Sequence, residues 1–178
     1  MRTLFLIAVL IVIFSCGNSK KAVDESEKNK IPIQMTQPCP DDGICSIQVI
    51  PQSSLLIKTD DTGKYYPVVE KGKNLVIKYV YKRNPIENTA DSNYSEIVYF
   101  ELPDKKLNLN LQDKDLSRIK LLYGRLCFCR GTSGYFPVNK GNLITKKTGK
   151  EQLKIFLDFS VKKIPQIIKQ IDETIDLN

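Results

Sequence analysis

Strict alternation of apolar and polar residues marks two segments of the chain. In "KLNLNLQ", residues 106–112, leucine occupies every second position and asparagine the positions between. In "EQLKIFLDFSV", residues 151–161, one face carries five apolar side chains, Leu153, Ile155, Leu157, Phe159 and Val161. A period of two residues is typical of a β-strand with one buried face. Both segments are therefore predicted to be half-buried strands.

Further runs rich in branched and aromatic residues predict the other strands. They lie at 47–50, 55–58, 65–69, 75–81, 95–102 and 119–129, with shorter ones at 135–138 and 143–146. Turn-forming residues separate them, as in "DDTG" at 60–63 and "RGTSG" at 130–134. Many short strands joined by turns are typical of antiparallel folds. We expect a mainly β domain, an antiparallel β-sandwich or barrel of about 8–9 short strands.

The C-terminal segment has a different period. Isoleucines recur there at steps of three and four residues, at Ile164, Ile167, Ile168, Ile171 and Ile175. Pro165 stands near the first turn, where the missing N–H costs a helix nothing. This pattern predicts one C-terminal amphipathic helix over residues 163–176, whose apolar stripe covers an open face or end of the sheet.

The first residues have the layout of a secretory signal peptide. Arg2 places positive charge beside the amino terminus, and an apolar run of 11 residues, 4–14, precedes the small Ser15. Such a run is too short to span a bilayer as a helix, which needs about 20 residues. Residues 1–16 are therefore interpreted as a signal peptide.

Residues 13–16, Ile-Phe-Ser-Cys, resemble the lipobox of bacterial lipoproteins. The resemblance implies that Cys16 becomes the first residue of the mature protein and carries several acyl chains, which together hold a protein stably on a membrane. Residue 17 is glycine rather than the aspartate that retains enterobacterial lipoproteins in the inner membrane. An outer-membrane location with the domain facing the periplasm is therefore expected, with surface display as an alternative. An ordinary cleaved signal peptide, or an uncleaved interfacial helix, is the alternative to lipidation.

Two regions follow the signal peptide. Residues 17–38 carry many charges and no aromatic residue. Such a segment buries too little apolar surface to offset the entropy of ordering it, so it is predicted to be a flexible tether. Residues 39–178 have the length of a typical single domain, and we expect one disulfide-linked, β-rich domain there.

Basic residues outnumber acidic ones. The formal net charge is +7, and removal of residues 1–16, which contain one basic residue and no acidic one, leaves +6. Such a surface attracts anionic headgroups and acidic polysaccharide. The lysines are spread along the chain rather than clustered, so nucleic acid is not an expected partner. The expected partners are the membrane, through the N-terminal lipid, and an envelope protein or an anionic glycan.

Four cysteines follow Cys16 in the chain: Cys39, Cys45, Cys127 and Cys129. An even number in an exported domain favours disulfides. Two residues apart on an extended strand, Cβ atoms lie about 6.5 Å from each other, beyond the roughly 4.5 Å that a bridge spans. Cross-pairing of residues 39 and 45 with 127 and 129 is therefore favoured, with Leu126 and Phe128 facing the core. Two local bridges are the alternative, and a metal site built from all four cysteines is less favoured.

The chain contains no histidine, which excludes Ser-His-Asp and Cys-His nucleophilic sites. Ser-X-X-Lys occurs twice, at Ser117 with Lys120 and at Ser160 with Lys163. The active form of that motif needs a helix to stack the two side chains, whereas a strand at 117–120 would point them to opposite faces. Acidic residues are numerous, but the sequence alone singles out no pair. No catalytic residue is assigned, and neither a metal nor a cofactor is expected.

The best candidate for recognition is the segment "YGRLCFCRGTSGYF", residues 123–136. It brings Arg125 and Arg130 near the aromatic Tyr135. A guanidinium beside an aromatic face suits an acidic sugar or a peptide carboxylate. The alternative is that these arginines merely extend their apolar stems over a packed strand.

Two classes of function stay open. The favoured one is a non-catalytic cell-envelope lipoprotein that binds a protein or glycan, or serves as an accessory or structural component. The other is a histidine-free hydrolase that acts on cell-wall or other polysaccharide through paired carboxylates. A deep cleft with two facing acids would favour the hydrolase, and a filled barrel would favour the binding protein.

Overall fold

Residues 38–89 and 92–177, which a computed structural model describes, form ten strands and one short 3₁₀ helix. The strands are Gly43–Thr59 (β1), Tyr65–Lys71 (β2), Asn74–Arg83 (β3), Tyr94–Leu102 (β4), Leu109–Gln112 (β5), Leu122–Cys127 (β6), Gly134–Pro137 (β7), Gly141–Lys147 (β8), Gln152–Phe159 (β9) and Gln170–Asp176 (β10). The 3₁₀ helix, Asp113–Ile119, lies between β5 and β6. Within these two ranges, no helix has the length and apolar character needed to cross a membrane.

The predicted signal peptide, Cys16 and almost all of the predicted tether lie outside the described residues. Pro38, the last residue of that tether, is exposed, and the first strand begins five residues later at Gly43.

Six strands close into an antiparallel barrel in the order β1-β2-β7-β6-β4-β3, and β10-β9-β8-β5 form a second, four-stranded sheet. The ladders of the barrel are long except at one place. Between β2 and β7 a single residue pair, Tyr65 with Tyr135, closes the circle. The prediction of a mainly β, antiparallel fold is confirmed, and the closed form is a barrel.

Strand β1 serves two parts of the barrel because it bends in its middle. Its first part pairs with β3 and its second part with β2. The register shifts between Ile50 and Ser53, where Pro51 has no N–H to donate and Gln52 has a φ of +50°. The carbonyl of Gln52 accepts a hydrogen bond of 2.8 Å from the backbone N–H of Gly72. The two runs that the sequence separates at Pro51 are thus one bent strand.

The barrel wall is buried on both faces where the second sheet covers it. On β3, Ile77 and Tyr79 belong to a large core shared with the second sheet, whereas Val76 points into the barrel. From the second sheet, Leu157 and Ile171 pack into the shared core. A strand covered on both sides reads as a nearly continuous apolar run, which explains "LVIKYVY" at 75–81.

Apolar side chains fill part of the barrel interior. Four of them are buried, Leu55, Val76, Tyr99 and Leu122, and four others pack against these, Ile50, Ile57, Ile97 and Tyr135. The Tyr135 ring lies over Gly124, where an added Cβ would come within 2.5 Å of it. A glycine at 124 is therefore required for Tyr135 to lie inside the barrel.

The predicted C-terminal helix is wrong, because residues 170–176 form β10, paired antiparallel with β9. Within β10 the buried positions alternate, at Ile171, Glu173 and Ile175. Ile171 and Ile175 are four residues apart, a spacing that fits both one turn of a helix and two repeats of a strand. β-Branched isoleucine and threonine favour the strand, and β9 offers an edge on which it pairs.

The favoured cross-pairing of the cysteines is also wrong, and the local alternative is confirmed. The disulfides join Cys39 with Cys45 and Cys127 with Cys129, with Cα atoms 5.6 and 5.2 Å apart. Cross-pairing assumed an extended strand through residue 129, but β6 ends at Cys127 and the chain turns there. For the same reason Phe128 is 85% exposed rather than part of the core.

Local pairing predicts a specific result for the double variant Cys39→Ser/Cys45→Ser. Removal of this bridge opens a loop of six residues, and we expect the free energy of unfolding to fall by about 2 kcal/mol. Thiol titration of the denatured variant should find no free thiol among residues 17–178, because Cys127 and Cys129 keep their bridge. Cross-pairing would instead release two thiols and cost at least about 4–5 kcal/mol, since both bridges would be lost and their loops are much longer.

Candidate functional site

A cleft of about 540 Å³ lies beside the bend of β1. Residues 48–53 of β1 and 69–71 of β2 form its rim, and Lys78 of β3 and Tyr99 of β4 complete the lining. The volume falls in the range of small-molecule sites, roughly 300–1,000 Å³. The cleft lies beside the bulge of β1, where the pairing of β1 with β3 is interrupted between Ile50 and Ser53.

Three polar side chains lie next to one another across neighbouring strands of this cleft. Gln48 of β1 is opposite Lys78 of β3, and Lys78 is opposite Tyr99 of β4. Directly opposed residues of an antiparallel pair have Cβ atoms about 4.5–5.5 Å apart. The register therefore places an amide, an ammonium group and a phenol in one row, which we call the Gln48–Lys78–Tyr99 row.

Lys78 is half-buried, and its ammonium group lies 5.7 Å from the centroid of the Tyr99 ring. Among the described residues it has no ion-pair partner. A partly desolvated cation is stabilised by an aromatic face, but far less than by a carboxylate. Lys78 is therefore a cation with unused capacity to bind an anion.

Tyr99 presents its ring to Lys78 and is 8% exposed. Burial raises the pKa of its phenol, so the group is a neutral hydrogen-bond donor at ordinary pH. Its hydroxyl bonds to none of the residues that the structure describes. Burial also raises the pKa of the neighbouring Tyr135 to about 12.

Glu101 of β4, which is 8% exposed, binds the residues of β1 that directly follow the bulge. Its carboxylate accepts hydrogen bonds from the backbone N–H of Leu55 at 2.6 Å, from Asn74 Nδ2 at 2.6 Å and from Ser54 Oγ at 3.1 Å. The Lys120 ammonium completes the set at 2.9 Å. Glu101 therefore fixes the second half of β1 and does not face the cleft with free oxygens.

A second buried acid, Glu96 of β4, lies between the barrel and the second sheet and is fully buried. It accepts hydrogen bonds from the backbone N–H groups of Ile167 and Ile168, at 2.8 and 2.7 Å, and from the Tyr94 hydroxyl at 2.5 Å. Burial and the nearby Glu96 carboxylate raise the pKa of Tyr123. These contacts attach the chain before β10 to the barrel wall.

The three recognition residues predicted from sequence are not on one surface. Arg125 lies over the Tyr94 ring, 5.3 Å from its centroid, and donates hydrogen bonds to Thr132. Tyr135 is opposite Gly124 and packs inside the barrel, so it projects from the other face of the wall. Arg130 is exposed in the turn that also carries Phe128.

The two Ser-X-X-Lys pairs do not form catalytic pairs. Ser117 lies in the 3₁₀ helix rather than in a strand, and its hydroxyl donates to the Lys114 carbonyl at 2.7 Å. Lys120 is bound to Glu101 instead. Ser160 and Lys163 are both exposed in the segment between β9 and β10.

In the described part of the chain, no group of three or more histidine, cysteine, aspartate or glutamate residues could hold a metal ion. All four cysteines of that part are in disulfides, and the metal site built from them is therefore not formed.

Sequence reasoning missed the Gln48–Lys78–Tyr99 row. One signal was present, because Lys78 is the single charged residue in the apolar run 75–81. The partners of Lys78 depend on the register of three strands, which that run does not contain.

Comparisons with models of protein families, with curated proteins and with solved structures find no match to this chain.

Proposed function

We propose that this protein is a non-catalytic binding module of the bacterial cell envelope, held on the outer membrane by lipid at Cys16. The binding half of the proposal rests on one observation, the open cleft that contains the Gln48–Lys78–Tyr99 row. Apolar and aromatic side chains fill part of the barrel interior, and the cleft lies beside them.

The acids of the fold support binding rather than hydrolysis. Glycoside hydrolysis needs two carboxyl groups about 5–10 Å apart across the reacting bond. Among the described residues that line the cleft, Glu70 is the one acid. The buried Glu96 and Glu101 are each engaged by three or more hydrogen-bond donors, which gives them a structural role.

The envelope half of the proposal is supported by two features. Residues 13–16 resemble a lipobox and follow an apolar run of signal-peptide length. The two disulfides are typical of proteins that fold in an oxidising compartment. With a net charge of +6 after residue 16, the mature chain suits anionic partners such as an acidic glycan or an acidic protein surface.

Lipidation at Cys16 is tested with the variant Cys16→Ser in a bacterial host fed an alkyne-labelled fatty acid. We expect the wild-type protein to take up the label and the variant to lose it completely, because serine has no thiol for thioether formation. The matched control is Ser15→Ala, which keeps a small residue before the cysteine and should retain the label. Label that persists in Cys16→Ser, or that is absent from the wild type, would contradict the anchor.

A further inference from the structure

We propose that the cleft binds a small organic carboxylate, whose oxygens pair with the Lys78 ammonium and accept hydrogen bonds from the Tyr99 hydroxyl and the Gln48 amide. This assignment rests on the proposed binding function and names its ligand class. The three groups lie in one cross-strand row, and none of them is hydrogen-bonded to another described residue. They are therefore available to a ligand together.

The charge of the cleft favours a monoanion. The lining carries two basic residues, Lys71 and Lys78, and one acidic residue, Glu70, so its formal charge is +1. Lys71 and Glu70 are exposed, whereas Lys78 is half-buried. One ammonium group matches the single charge of a carboxylate. Phosphate groups are usually bound by arginine forks or by several backbone N–H groups at a helix N-terminus, and the described lining contains no arginine and no helix.

The depth of Lys78 strengthens the case for an ion pair. The group is half-buried behind the rim, so an anion that reaches it leaves bulk water. Charge-assisted hydrogen bonds are strongest where water is excluded. The neutral Tyr99 phenol and the Gln48 amide supply donors for the second carboxylate oxygen without adding charge.

The apolar part of the rim indicates what the carboxylate is attached to. Val49, Ile50, Pro51 and Val69 line the cleft beside the polar row. A volume of about 540 Å³ accommodates a ring or a short chain together with the carboxylate. Both an aromatic acid and a sugar acid meet this description, and their shared chemistry is the carboxylate.

Binding is measured by ligand-observed saturation-transfer NMR and calorimetric titration on the full-length chain in detergent. The probes are benzoate and glucuronate, each paired with its neutral counterpart, benzamide and glucuronamide. We expect at least one acid to bind at least about tenfold more tightly than its amide, because the amide forms no ion pair with Lys78. The acid that binds identifies the source as an aromatic or a sugar carboxylate.

Three variants locate the site. Lys78→Met keeps an unbranched side chain, one atom shorter, and removes its charge, and should weaken acid binding by at least about tenfold. Tyr99→Phe keeps the ring and removes the hydroxyl, and should weaken it about fivefold. Lys82→Met, which removes an exposed lysine of the same strand, is the matched control and should bind like the wild type. Unchanged melting temperatures show that the variants are folded.

Two outcomes would overturn the assignment. One is that neither acid binds more tightly than its amide, and the other is that Lys78→Met binds acids as well as Lys82→Met does. If Lys78→Met did not fold, the same comparison between Tyr99→Phe and Lys82→Met would decide. The envelope half of the proposed function fails in a different way: the wild-type protein then carries no fatty-acid label at Cys16, whatever the cleft binds.

Discussion

Replacement of Glu96 by alanine is expected to lower the free energy of unfolding by about 3–5 kcal/mol. The carboxylate is fully buried, and its two oxygens accept three hydrogen bonds. Without them, the backbone N–H of the buried Ile168 and two partly buried donors, the backbone N–H of Ile167 and the Tyr94 hydroxyl, lose their acceptor. Each buried donor left without a partner costs about 1–3 kcal/mol.

The loss should be greatest near the C terminus. Ile167 and Ile168 lie shortly before β10, which begins at Gln170, and Ile168, Ile171 and Ile175 are part of the core shared with the barrel. Once Glu96 no longer holds this segment, β10 is the strand that separates at the lowest cost. Hydrogen exchange should therefore accelerate at residues 167–176 more than in β3 or β4.

Urea unfolding followed by circular dichroism measures the change. Tyr94→Phe, which removes one of the three donors and leaves the acceptor in place, should cost about 1 kcal/mol. Glu70→Ala, which removes an exposed acid of β2, should cost less than about 0.5 kcal/mol. A loss below about 1 kcal/mol for Glu96→Ala would show that the carboxylate does not hold the segment.

Glu101→Gln is expected to lower stability by about 2–3 kcal/mol at neutral pH and to remove part of the acid sensitivity of the fold. Burial pushes the pKa of Glu101 upward, but the hydrogen bonds from Lys120, Leu55 and Asn74 outweigh it and hold the pKa below its usual value of 4.5. Glutamine keeps the shape but not the charge that Lys120 requires.

The sign of the pH effect follows from this lowered pKa. The unfolded chain takes up a proton at Glu101 near pH 4.5, whereas the folded protein resists until a lower pH. The contribution to stability is therefore complete above pH 4.5 and is lost as the pH falls through the folded-state pKa. The difference in the free energy of unfolding between wild type and Glu101→Gln should therefore narrow as the pH falls from 4.5 to the folded-state pKa.

Denaturant titrations between pH 7 and pH 2.5 would measure this narrowing. Asp42, Asp60 and Asp113 also have lowered pKa values, caused chiefly by hydrogen bonds from Tyr81, Thr62 and the Gly141 backbone, respectively. They are present in both proteins, so their effect cancels in the difference. A difference that stays constant with pH would contradict the role given to Glu101.

The sequence predicts those features of the fold that depend on residues close together in the chain, and it predicts less well those that depend on residues far apart. The strands at 107–111 and 153–159 follow from alternation within a few residues, and the structure has β5 and β9 there. The C-terminal isoleucines fitted both a helix and a strand, and pairing with β9, a neighbour in space, decided between them. A local pattern with two solutions is settled by tertiary context.

The prediction of the disulfide pairing was wrong, and the cleft was not predicted, for related reasons. The bridge between Cys127 and Cys129 depends on the place where β6 ends, and strand ends are the least certain part of a pattern. The cleft depends on which residues of β1 and β4 lie opposite Lys78, and on the bulge of β1 between Ile50 and Ser53. Neither the disulfide pairing nor the cleft can be predicted from a single segment of the sequence.

The single pair between Tyr65 and Tyr135 makes this barrel, in topological terms, a six-stranded sheet whose two ends touch. Breaking that one bridge would leave the other five ladders intact, with β2 and β7 as the free edges. Opening the barrel between β2 and β7 would therefore break fewer pairs than opening it between any other two of its strands. Because β2 also forms one rim of the cleft, this motion would widen the entrance and couple the rate of ligand entry to the opening of the seam.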